Sequence, residues 1–258
     1  MAGISSSEFC LRVAEAGAGA VTLGGFNADT DSYIAARRMS ERRKEFLVDL
    51  EILPRQIRTQ AHKIRTSGAA VFVNIRFANH EEAAELVRRI LGSVDAVEIN
   101  AHCRQPEMVR VGAGEGLLRQ PATLVSAINE ISELLPVIVK VRAISLTARI
   151  LESLDSTGAI GLHLDLMKPG VQSADTLLLE RVRRKTGMIL IGNNSVRSEH
   201  QFIEMLRRGA DLVSMARALL GGTGPLRRIL GSPACWDEMR RKPSWNGRTF
   251  AISRSRRI

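Results

Sequence analysis

Residues 137–164 read VIVKVRAISLTARILESLDSTGAIGLHL. The run 137–142 is short, apolar and rich in β-branched residues. A segment with helical apolar spacing follows over 146–156, then Gly158, then a second apolar run over 160–164. Two apolar runs joined by an amphipathic segment are the pattern of parallel strands covered on both faces. A glycine at the junction ends the helix in the left-handed conformation and turns the chain into the next strand.

The same alternation extends in both directions. Strands are expected at 20–23, 70–75, 96–99, 188–191 and 212–215, and helices at 81–91, 121–135, 174–185 and 198–208. Gly68, Gly187 and Gly209 each precede a strand as Gly158 does. A first helix over 5–15 leaves only residues 1–4 for a strand ahead of it. Residues 29–66 exceed a simple crossover and read as two polar helices. A series of βα units has two solutions, a barrel or a doubly wound sheet. No GxGxxG follows the first long strand, which argues against a dinucleotide-binding sheet. The expected fold is therefore α/β, an eight-stranded (β/α)8 TIM barrel with a short or truncated first strand. The barrel is expected over 1–222 and a short basic C-terminal extension over 223–258.

The 258 residues carry a formal net charge of +10, with 45% hydrophobic and 25% charged residues. This composition excludes a disordered, collagen-like or disulfide-scaffold chain. No apolar run reaches the roughly 18 residues of a membrane span, and no basic-then-apolar leader opens the chain, so a cytoplasmic protein without membrane partners is expected. Seven of the ten net positive charges fall in residues 225–258. That tail reads either as a solvated terminus or as a contact for an anionic partner such as RNA. Cys10, Cys103 and Cys235 are widely spaced with no CxxC pair, so free thiols and no metal site are expected.

In a barrel, polar residues at the C-terminal ends of the strands face the ligand. Those ends carry Gly24-Gly25, then Asn74 and Arg76, then Asn100 to Cys103, then Lys140 and Arg142, then His163 and Asp165. Gly192-Asn193-Asn194-Ser195 and Ala216-Arg217 complete the series. Cations inside an apolar strand are costly unless a ligand or a charge meets them. The last two turns fall where barrels commonly hold a phosphate, with Arg217 able to bind it through its fork.

Six motifs in order resemble the dihydrouridine synthases, and most of all the short archaeal proteins related to them. They are Met1-Ala2-Gly3-Ile4-Ser5 with Glu8-Phe9; Asn100 to Cys103; Gly112, Gly114, Leu117, Leu118 and Pro121; Lys140-Val141-Arg142; Ile191 to Val196; and Gly209-Ala210-Asp211 through Ala216-Arg217-Ala218. The resemblance implies an FMN-binding barrel, with Met1 and Ala2 beside the isoalloxazine ring and Asn74 where the family has Gln. It implies that Lys140 meets the flavin N1/O2 edge and that Gly192, Asn193, Asn194, Ala216 and Arg217 hold the phosphate. Asn100 and Arg142 would face the pyrimidine substrate, and Cys103 would be the general acid, since an ordinary thiol is protonated at neutral pH. NAD(P)H would reduce the flavin by transient contact.

The chain also departs from the family. His102 and Arg104 flank Cys103 in place of Gly and Pro, and Asp165-Leu166-Met167 stands where His-Gly-Arg is usual. His102 reads as a proton relay or a loop residue, and His163 as a substitute ligand or a packing histidine. Asp165 reads as a partner for a ribityl hydroxyl or for Arg142, and is included among the cofactor contacts. The residues after Gly222 are too few for the family's RNA-gripping domain, although Trp236, Trp245 and Phe250 lie among basic residues there. Three functions follow from these readings. The first is reduction of uridine to 5,6-dihydrouridine in RNA, tRNA foremost. The second is FMN-dependent oxidoreduction of a small pyrimidine-like molecule, as in the dihydroorotate dehydrogenases. The third is a non-catalytic flavin- or phosphate-binding barrel.

Overall fold

In the computed structural model, which describes residues 4–42, 45–168, 170–171 and 173–242, the expected alternation is present. The chain runs α1 (Ser7–Glu15), β1 (Ala20–Asn27), α2 (Thr30–Ser40), α3 (Leu53–Arg65), β2 (Ala70–Arg76), α4 (His80–Arg89) and β3 (Ala96–Ala101). It continues α5 (Pro106–Arg110), α6 (Pro121–Ser132), β4 (Val137–Arg142), α7 (Ala148–Asp155), β5 (Ala159–Asp165) and α8 (Thr176–Arg183). It ends β6 (Ile189–Asn193), α9 (Glu199–Arg207), β7 (Leu212–Ser214), α10 (Gly224–Gly231) and α11 (Pro233–Arg240). Side chains that cap the first turn explain several helix starts: Ser6, Asp29, Asn79, Thr147, Asp175 and Ser198 each accept a backbone N–H there.

Among the described residues the seven strands form one parallel sheet in sequence order, β1 to β7. The sheet curls, because His163 of β5 reaches both Glu98 of β3 and Ser214 of β7. No eighth strand forms among the described residues. Ser5 pairs with Gly24 in an isolated antiparallel bridge, while residues 1–3 lie outside the described set. Gly24, at φ +96°, lets β1 bulge, and pairing resumes at Phe26, so the strand runs on to Asn27 rather than stopping at Leu23.

Alternation along the strands divides two environments. Val71, Val73, Val97, Ile99, Val139, Val141, Leu162 and Leu164 enter the main core with residues of the surrounding helices. The opposite face carries a separate cluster, Phe72, Ala96, Ile138 and Ile191, which floors the inside of the curl. Two residues further along those same strands come Asn74, Glu98, Lys140 and Asn193. Above an apolar floor, therefore, the interior becomes polar toward the C-terminal rim.

Beyond β7, Ile229 of α10 and Cys235 of α11 join the same core as the strands. Leu230 packs so closely over Gly17, at φ +103°, that a Cβ there would sit 2.8 Å from its Cδ1. The start of the segment expected as a basic extension thus lies on the flank of the curled sheet. Trp245, Phe250 and the basic residues from Arg248 onward lie outside the described residues.

Buried Asp29 ties the rim together. Its Oδ1 accepts from Ser32 N at 3.0 Å, and its Oδ2 accepts from Ala78 N and Asn79 N, each at 2.7 Å. Asp29→Ala removes a helix cap and two charge-assisted bonds. It should cost about 3 kcal/mol, read as a lower urea midpoint at unchanged slope. A loss below about 1 kcal/mol would show that the loop after β2 finds other acceptors.

Candidate active site

The polar layer inside the curl centres on Glu98, which is fully buried. Its Oε1 accepts from Asn74 Nδ2 at 2.7 Å, and its Oε2 lies 2.5 Å from His163 Nδ1. Lys140 Nζ stands 3.7 Å from Oε1 and 3.3–3.4 Å from the two ring nitrogens of His163. Burial opposes a charge at Glu98, but Lys140 and the bonds from His163 and Asn74 outweigh it and hold the carboxyl well below its usual range. Burial, reinforced by Lys140, lowers His163, so the ring is neutral. A neutral ring beside an ionised carboxylate carries its proton on Nδ1, and Nε2 then accepts from Ser214 Oγ at 2.7 Å.

Two hydrogen-bond chains leave this centre. On one side Asn100 Nδ2 donates to Asn74 Oδ1 at 3.0 Å, and Asn100 Oδ1 accepts from the backbone N–H groups of His102 and Cys103 at 3.3 and 3.1 Å. On the other, Asn193 Nδ2 donates to Ser214 Oγ at 2.6 Å. Cys103 also gives its carbonyl to Glu115 N at 2.8 Å. Gly114, at φ +61°, packs so tightly on this turn that an added Cβ would lie 2.6 Å from that carbonyl oxygen.

A cavity of about 470 Å³ opens at the C-terminal ends of β5 to β7. Lys140 and Ser214 line it, with His102, Asp165, Asn193, Asn194, Ala216 and Arg217 around them. Asp165 Oδ1 accepts from Asn194 Nδ2 at 2.9 Å and from Met167 N at 3.1 Å, and Oδ2 lies 4.0 Å from His102 Nδ1. Burial works against its charge; the bonds from Asn194 and Met167 N, with the charge of Lys140, prevail, and the carboxyl sits below its usual range. Burial, then Lys140, pushes His102 down to about 3, so it too is neutral. Arg217 reaches Asn194 Oδ1 at 3.4 Å. Asn194 and Ser195 adopt φ of 102° and 57°, uncommon for residues with side chains.

The structure brings Lys140, Asp165, Asn193, Asn194, Ala216 and Arg217 together around one cavity, as read from the sequence. Asn74 and Asn100 lie beneath the rim, engaged with each other. Cys103, half-buried, stands on the adjoining turn; Cys10 and Cys235 are buried, and desolvation pushes their thiols up, Cys10 to about 12. Arg142 does not meet Asp165, its neighbour across the β4–β5 ladder; it turns to Glu115, 3.4 Å away. Gly192 faces the helix layer, where a Cβ would lie 3.1 Å from Met205 Sδ and 3.3 Å from Ala210 Cβ. Met1 and Ala2 are outside the described residues. Glu98, Ser214 and Glu115 were not anticipated. The available signal for Glu98 was a charge inside the apolar run AVEI, on the same strand face as Asn100.

No family model matches the chain. A protein of Methanocaldococcus jannaschii, "Uncharacterized protein MJ0144", is 36% identical over 233 residues, which is 86% of this chain and 88% of that one. Among solved structures, DHODH of Eimeria tenella superposes with a TM-score of 0.55 at 15% identity, covering 74% of this chain; this chain spans 64% of its length. A chain of the Amycolatopsis orientalis BexX/CysO complex gives 0.56 at 15% identity, covering 95% and 89%. Likeness at these identities concerns the fold.

Histidines kept neutral in the folded protein make stability depend on pH with a definite sign. His102 titrates near 6.5 in the unfolded chain and about 3 in the folded one. Between those values the unfolded chain binds the extra proton, so folding weakens as pH falls. From pH 7 to pH 5 His102 alone should cost about 2 kcal/mol, and His163 adds in the same direction. Urea titrations at the two pH values should show this loss, and His102→Asn should recover its share. An unchanged pH slope in that variant would mean His102 is protonated in the folded protein.

Proposed function

We propose that this chain, which belongs to the same family as the Methanocaldococcus jannaschii protein MJ0144, is an FMN-dependent reductase of the uridine C5–C6 double bond in RNA, tRNA foremost. The observation that carries this reading is the cavity of about 470 Å³ with a lysine in its floor and an Asn194–Arg217 edge. The donor set fits the cofactor. Arg217 makes one long bond to Asn194 and has further N–H groups for a phosphate. Asp165, held ionised, accepts from hydroxyl groups such as those of a ribityl chain. Lys140, which lines the cavity, would offset the negative charge of a reduced ring.

FMN, reduced by NAD(P)H, supplies a hydride when bound. The protein supplies the rest. Asn100 holds the Cys103 backbone on the turn that brings His102 to the cavity, and the Cys103 thiol would protonate the carbon next to the one reduced. Arg142 pairs with Glu115 at the C-terminal end of β4 and would face the pyrimidine from there. One observation favours a second reading, oxidoreduction of a small pyrimidine-like molecule. Helices α10 and α11 join the barrel's core rather than opening an RNA-gripping domain.

Adding FMN to the purified protein should give a bound flavin absorption spectrum. A protein that stays colourless in excess FMN would remove both readings. Cys103→Ala should keep the flavin and lose about 10²–10⁴-fold in turnover. Dihydrouridine content of RNA from a deletion strain separates the two substrates: unchanged content assigns the small molecule.

A further inference from the structure

The two chains meeting at Glu98 have a direction. Backbone N–H groups of His102 and Cys103 donate to Asn100, Asn100 donates to Asn74, and Asn74 donates to Glu98. From the other side Asn193 donates to Ser214, Ser214 to His163, and His163 to Glu98. A backbone N–H cannot become an acceptor, so the first chain cannot be reversed. Both chains end only on a group with two acceptor oxygens and no proton.

We propose that Glu98 is the positioning residue of this site: as an acceptor-only group it sets the direction of both chains and fixes His163 as the Nδ1–H tautomer. The Ser214 hydroxyl is then spent as a donor on His163. Its oxygen takes one bond from Asn193 and keeps one lone pair. Ser214 bonds to His163, Lys140 stands 3.3–3.4 Å from its ring nitrogens, and both line the cavity. The floor therefore offers a donor, Lys140, beside an acceptor, Ser214. This pair matches a ring amide edge, a carbonyl next to an N–H, which is the edge the pyrimidine part of a flavin presents. The match to a flavin rests on the FMN reading above; the role of Glu98 in setting the tautomer does not.

Glutamine at this position distinguishes the chains. Its amide nitrogen could face Asn74, but then Asn74 and Asn100 must both turn over, and the N–H groups of His102 and Cys103 would face another donor. It could instead face His163, which needs only a shift of the ring proton to Nε2. The second costs less, so Glu98→Gln should move His163 to the Nε2–H tautomer. With the Ser214 hydroxyl released, FMN binding should weaken about tenfold, as expected when one buried hydrogen bond is lost.

The ring-nitrogen NMR signals of ¹⁵N-histidine-labelled protein, with His163 assigned by its loss in His163→Gln, read the tautomer without cofactor. FMN titration by fluorescence reads the floor. The unsubstituted protein should show Nδ1–H, Glu98→Asp should keep it, and Glu98→Gln should show Nε2–H with weakened FMN binding. An Nε2–H signal in the unsubstituted protein overturns the proposal even if the variants fail to fold. An unchanged tautomer in folded Glu98→Gln overturns it as well. The expected tautomers in a protein that binds no FMN would uphold Glu98's role and remove the flavin reading.

Discussion

An ionised carboxylate stays inside a curled sheet only if every neighbour turns a donor toward it. Glu98 meets that condition with an amide, an imidazole N–H and an ammonium group. A buried pair such as Glu98 and Lys140 adds little net stability over an apolar pair of the same volume, because desolvating two charges offsets their attraction. Its consequence is order. Asn74, Asn100, His163 and Ser214 each have one allowed orientation, and the turn bearing Cys103 and the strand end bearing Asn193 are fixed by the same charge.

The apolar floor makes this arrangement possible. Phe72, Ala96, Ile138 and Ile191 close the N-terminal end of the interior. The polar layer therefore lies between a dry floor and an open rim, and the cavity forms on the side where β7 is shortest. Both members of the pair are buried, but Lys140 lines this cavity and Glu98 does not. A ligand thus meets the positive end of the pair first.

The order of strands and helices was legible because their periods differ: buried parallel strands are short and apolar, and the helices alternate faces. The glycine before several strands and the capping side chains marked the joints. The group of residues around the cavity was legible for the same reason, since polar residues at successive strand ends must share one rim. What could not be read was who meets whom. Glu98 looks like one charge in AVEI until the register sets it beside Asn74 and near Lys140. Arg142 and Asp165 are ladder neighbours, yet Glu115, from a turn far along the chain, takes the arginine. The extent of β1 was hidden too, because two successive glycines read as an end where the fold uses them as a bulge.

The turn after β6 holds two residues with side chains in the left-handed region, Asn194 and Ser195. Such a conformation costs on the order of 1–3 kcal/mol per residue. The fold has already met this cost, so a ligand that meets the turn finds it bent and gives up none of its binding energy to bend it. Glycine at 195 would relax the backbone and firm the protein, yet free the turn to take other shapes. At this position selection for a sturdier chain and selection for a ready site pull in opposite directions.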